Sequence, residues 1–177
     1  ISVSWEELEQ RRARLEARGR FAYLDRVPVA PGIFPRFWLH ALGHTFAEYT
    51  STPEKRLEIQ LEAHKWVLEN IPGDLTGVGI NPEPHWFYGE SYGLGCELDH
   101  DELDPWVRPI HPIQTEADLR RLERIDPADN RNTALVNDWI TRTEPLLGNY
   151  QFRYADGVVQ PLPTRLTPSG GSLGVFT

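Results

Sequence analysis

Apolar positions recur along this chain at helical spacing, broken by short apolar runs that end at proline and glycine. Trp5, Leu8 and Leu15 share a face opposite a surface rich in Arg and Glu, which predicts an amphipathic helix. Ser4 and Glu7 have the spacing of a capping box at its start. Residues 26–38 follow as RVPVAPGIFPRFW. Here Val27, Val29, Ala30 and Ile33 predict a buried strand that stops at a Pro-Gly break and presents Arg36 between Phe34 and Phe37. Thr52-Pro53 marks the start of a helix with Leu57, Leu61, His64 and Leu68 on one face, closed by Pro72-Gly73. Val78 and Ile80 predict a second short strand that breaks at NPEPHW, residues 81–86.

The later pattern is less regular. Residues 95–98, the acidic stretch DHDELD at 99–104 and residues 106–110 predict a hairpin or paired excursion. Thr115 caps a helix carrying Leu119 and Leu122, which Asp126-Pro127 ends. Leu135, Val136, Trp139, Ile140, Thr143, Leu146 and Leu147 form the most regular amphipathic pattern of all. Tyr150, Phe152 and Tyr154 then alternate with polar residues before Asp156-Gly157, a hairpin-turn signal. Strand, helix, strand, helix with Gly and Pro breaks after the strands is the α/β pattern.

Composition narrows the function. With 177 residues the chain is long enough for one domain with a substantial core. A formal charge of -8 speaks against a nucleic-acid partner. No apolar run approaches the roughly 18 residues of a membrane span, so no membrane partner is expected. Cys96 is the only cysteine, which excludes an intrachain disulfide and a thiolate-rich zinc site. A reducing, cytoplasmic setting is the expectation. The chain starts at Ile1 without any methionine and stops at GSLGVFT, an apolar run that predicts an unfinished strand, so it reads as part of something larger. No P-loop, G-x-G-x-x-G or G-x-S-x-G motif occurs.

Four segments together resemble the uroporphyrinogen decarboxylase superfamily, which includes the decarboxylase and the corrinoid-linked methyltransferases. They are DRVPVAPGIFPRFW, LEIQLEAHKWVLENIP, PWVRPIHPIQTEADLRRLE with its following Asp-Pro, and the closing GGSLGVFT. The resemblance implies a (β/α)8 TIM barrel, with residues 1–177 supplying roughly the N-terminal half of a single barrel domain. A complete barrel takes at least about 200 residues, so a complementary polypeptide is the expected partner. Of the two substrate-holding arginines that the decarboxylase carries after its first strand, Arg36 matches the second and Gly32 stands at the first. Asn81 stands nearest the decarboxylase's essential aspartate. Both departures draw the expectation away from porphyrinogens, and the RVPV stretch resembles the methyltransferase branch better. That branch implies zinc and a corrinoid methyl donor, with the metal ligands mainly on the other half.

Several side chains carry candidate chemistry. Arg36 could clamp a carboxylate bidentately, or form a structural ion pair. His40 and His44, four apart, would share one helical face in the manner of a metal pair; a capping or partly buried pair is the alternative. Asn81, Glu83, His85, Trp86 and Tyr88 follow the second predicted strand, the usual address of barrel chemistry. Glu83 or His85 could act as general acid or base there, with Asn81, Trp86 and Tyr88 binding substrate. Loop packing is the alternative. His100 in its acidic turn fits a solvated loop better than a calcium site, and His64 reads as a core or interface residue. Three functions stay open: a methyltransferase-type enzyme, a divergent decarboxylase or lyase on a small anionic substrate, and a non-catalytic subunit completing its partner's barrel.

Overall fold

A computed structural model of the chain describes residues 1–85, 88–100, 105–107, 113–126 and 128–166. Helix α1, Trp5–Gly19, starts where expected, with the Ser4 hydroxyl accepting from the Glu7 amide at 3.1 Å. Two short helices follow, α2 at Pro35–Leu42 and α3 at Phe46–Tyr49. The long helix α4, Pro53–Asn70, has proline in its first turn and the Thr52 hydroxyl accepting from the Lys55 amide at 3.1 Å. After it come α5 at Gly89–Gly93, α6 at Glu116–Leu122 and α7 at Arg131–Leu147. Strands β1, Leu98–His100, and β2, Pro105–Val107, pair antiparallel. So do β3, Gln151–Arg153, and β4, Val159–Pro161, across a turn in which Gly157 takes φ +82°. Among the described residues no helix is long and apolar enough to cross a membrane.

The core is built around α4, which buries residues on several sides. Ile59, Ala63 and Val67 pack with Trp38, Leu39 and Tyr49. Leu68 joins Val3, Leu8 and Tyr154, while Leu57 joins Leu147, Leu162 and Leu166. Its remaining side, with Glu58, Glu62, Lys65 and Glu69, is exposed. Arg142 of α7 reaches both carboxylate oxygens of Glu54 at the head of α4, at 3.1 and 3.0 Å. Arg131 anchors α5 to α7: its guanidinium donates to the Tyr92 and Cys96 carbonyls and lies 4.0 Å from the Tyr92 ring.

Two irregular segments, 27–34 and 74–81, occupy the places where the first two strands are expected, and neither enters a ladder among the described residues. Pro28 and Pro31 each remove one amide from the first segment, so a ladder there could form only with gaps. The segments are joined instead at one point. The Asp74 amide donates to the Val29 carbonyl at 2.6 Å, and the Val29 amide donates to the Asp74 carboxylate at 2.9 Å. Asp74 is completely covered. It takes both Arg26 guanidinium nitrogens at 2.6 Å and Arg14 at 3.2 Å. These bonds, Arg26 foremost, hold its carboxyl below the usual carboxylate range. Gly73, at φ +124°, passes so close that a Cβ there would collide with the Val29 carbonyl. All the ladders described are antiparallel hairpins, so the alternating α/β pattern is present in its helices but not in paired parallel strands.

Candidate functional site

The two irregular segments wall a cavity of about 320 Å³, within the range of small-molecule sites. Pro31, Gly32 and Ile33 come from one segment, Leu75, Val78 and Asn81 from the other, and Trp38, Tyr49, Gln60 and Val67 line it from α2, α3 and α4. Apolar side chains dominate. The polar side chains of the lining are Tyr49, Gln60 and Asn81.

This polar set is built from the inside outward. Gln60, buried on α4, presents a fixed amide: its Oε1 accepts from the Asn81 N–H at 3.2 Å, and its Nε2 donates to the Asn81 carbonyl at 2.9 Å. The same Nε2 donates to the Tyr49 hydroxyl oxygen at 2.8 Å. Behind it lies Arg56, one turn earlier on α4 and only 2% exposed. Its Nε donates to the Asn81 carbonyl at 2.7 Å, and its guanidinium sits 3.9 Å from the Tyr49 ring centre. Burial draws the Arg56 pKa down, while Tyr49 and Glu83 pull it back up. An arginine keeps its charge across that contest. Burial raises the Tyr49 pKa, opposed by the Arg56 charge and the Gln60 hydrogen bond, so the phenol stays protonated at neutral pH.

His64 fixes the far wall. Its Nδ1 donates to the Val78 carbonyl at 2.8 Å, its ring stacks on Phe152 at 4.3 Å, and burial holds its pKa below the ordinary histidine value. Gly77, at φ +96°, touches the imidazole so closely that any Cβ would overlap it. The expectation of a core or interface histidine matches this placement.

The residues singled out in the sequence are scattered around this cavity. Of them, Asn81 lines it, together with Gly32. Arg36 does not follow a strand end: Pro35 takes the first helical position after Phe34, so Arg36 lies exposed in the first turn of α2. His40 and His44 do not share a helical face. Gly43 adopts φ +76° and ends α2, leaving His40 in its last turn and His44 beyond it, 3.0 Å from Glu62 and 3.5 Å from Glu48. Among the described residues no three His, Cys, Asp or Glu side chains converge as a metal site requires. Glu83 is buried; its amide donates to the Asn81 side chain at 2.7 Å, and its charge acts on Arg56. His85 packs against Tyr92 at 4.6 Å, and its carbonyl accepts from the Tyr88 amide, which places Tyr88 at the head of α5. Trp86, residues 101–104 and the closing 167–177 lie outside the described residues.

Tyr49, Arg56 and Gln60 carry this polar set, and the sequence reading passed over all three. Tyr49 follows a capping box, Thr45 with Glu48, that marks only a helix start. Arg56 and Gln60 stand four apart on α4, with Leu57 and Leu61 between and beside them. Two long polar residues at that spacing, flanking Leu57 and Ile59 on the apolar side of the helix, were the available signal. Compared with known proteins, the chain matches no family model, no curated protein and no solved structure.

Proposed function

We propose that this chain is the N-terminal portion of a (β/α)8-type barrel enzyme similar to the uroporphyrinogen decarboxylase superfamily, nearest its methyltransferase branch, and that its cavity holds the small-molecule substrate. The observation that carries the proposal is the cavity's position. It lies between the two segments that the sequence reads as consecutive strands, which touch at Val29 and Asp74 and keep most of their main chain outside any ladder among the described residues. Val27 is 80% exposed and Val29 is 56% exposed, where a finished barrel would cover them. A neighbouring strand from a complementary polypeptide would supply both the cover and the hydrogen bonds.

Zinc and the methyl-corrinoid belong in this proposal to the complementary polypeptide, because the described residues here do not converge as ligands. When bound there, zinc would activate an acceptor thiol. What this chain contributes is the walled cavity and its polar side chains. The decarboxylase or lyase alternative has less behind it, since Arg36, Glu83 and His85 are not among the residues lining the cavity. The test is a methyl-transfer assay, from methylcobalamin to a thiol, on the chain assembled with its complementary polypeptide, together with zinc analysis. Zinc-dependent transfer that fails when Gly32→Leu intrudes on the cavity is the expected result. An assembly that carries no zinc and transfers no methyl group would overturn the proposal.

A further inference from the structure

We infer that Tyr49 is the hydrogen-bond donor of the cavity, and that the ligand it meets is a small, largely apolar molecule bearing an uncharged carbonyl-type oxygen. This rests on the reading of the cavity as a small-molecule site and names the substrate class it takes.

The argument starts at Asn81. Its N–H on Oε1 fixes which way the Gln60 amide faces, so Nε2 must be the atom that meets Tyr49. The phenol oxygen therefore accepts, and its own hydrogen remains to be given. No described residue accepts it. Tyr49 is only 3% exposed, so little of the phenol faces open solvent. Trp38 and Phe46 hold the ring edge-on, at 5.2 and 6.1 Å between centres, which limits its swing. The Tyr49 side chain thus brings an unspent donor to a cavity it lines, beside the other two polar side chains of the lining, Gln60 and Asn81. A buried donor left without an acceptor is costly, which makes an acceptor on the ligand the natural complement.

The surroundings define that acceptor further. Among the described lining residues none is charged, while Pro31, Ile33, Trp38, Val67 and Leu75 offer apolar wall. A multiply charged ligand would lose its hydration there without a counter-ion. The Arg56 guanidinium behind the ring makes the phenol a stronger donor and tolerates partial negative charge on the oxygen it binds. A ketone, ester or amide oxygen meets these conditions.

Acetophenone and its isostere α-methylstyrene, which replaces the carbonyl with a methylene, test this on the 177-residue chain and its Tyr49→Phe variant. Titration followed by NMR should show acetophenone bound about fivefold more weakly by the variant, with α-methylstyrene unaffected. The carbonyl stretch of acetophenone bound to the native chain should fall below its value in hexane, a readout that does not depend on the variant's folding. Equal losses for both probes, no loss for acetophenone, an unshifted carbonyl stretch, or binding of neither probe would each overturn the inference. Failure of methyl transfer in the assembled enzyme would leave these binding results standing, and failure here would leave the transfer result standing.

Discussion

Helices α4 and α6 begin in nearly the same way and end up in opposite circumstances. Each opens on a threonine whose hydroxyl accepts an amide three residues on, and each carries acid in its first turn. Helix α6 has the fuller set of local signals, with a complete capping box and arginines in its last turn to match the helix dipole. Yet α6 buries no residue, and its Leu119 is 47% exposed. Helix α4 touches all three core clusters and carries the buried Arg56 and Gln60. Local signals decide that a helix forms; apolar and polar side chains facing several neighbours decide that a helix organises a fold.

Substitutions around α4 should therefore be costly and those on α6 cheap. The largest loss is expected for Gly77→Ala. The residue sits at φ +96°, and its new Cβ would overlap the His64 imidazole; destabilisation of roughly 2–4 kcal/mol follows from the two penalties together. Denaturant unfolding measures it, and a loss below about 1 kcal/mol would mean that His64 yields.

Asp74→Ala comes next, at about 2–3 kcal/mol, since it strips acceptors from Arg26, Arg14 and the Val29 amide. Its folded carboxyl binds a proton less readily than the unfolded one. The stabilisation is thus complete above the unfolded pKa and is lost as acid takes the pH below about 4. Melting curves across that window should be steeper in pH for the native chain than for the variant. Parallel curves would show that the Asp74 contacts with Arg26, Arg14 and Val29 contribute nothing. Thr115→Ala is the smallest case: it removes the α6 cap and should cost about 1 kcal/mol or less. A loss as large as that of Asp74→Ala would erase the distinction between the two helices.

The same contrast explains what could be read from the sequence. Helices α1, α4, α6 and α7 and the Asp156-Gly157 hairpin were legible, because caps, periodicity and turn residues act locally. Arg36 was misplaced because Pro35 serves equally as a strand breaker and as a first helical residue, and only the chain around it chooses. The His40 and His44 pairing failed at Gly43, whose left-handed conformation a four-residue spacing does not register. The T-x-x-D stretch in the resemblance to the decarboxylase superfamily is accounted for locally by the α6 capping box. Asn81 lines the cavity, and its position after the second apolar run is itself a local signal. Tyr49, Arg56 and Gln60 were missed because they converge only when α3 meets α4 and the 74–81 segment folds across both.

The central claim is that segments 27–34 and 74–81 are strands awaiting neighbours around a ligand cavity. Amide hydrogen exchange over these segments tests it most directly, in the 177-residue chain alone and in its assembly with the proposed complementary polypeptide. The account predicts rapid exchange at Val27, Ala30 and Ile33 in the chain alone and protection of roughly a hundredfold or more once a ladder forms. The same exchange rates in both states would contradict it.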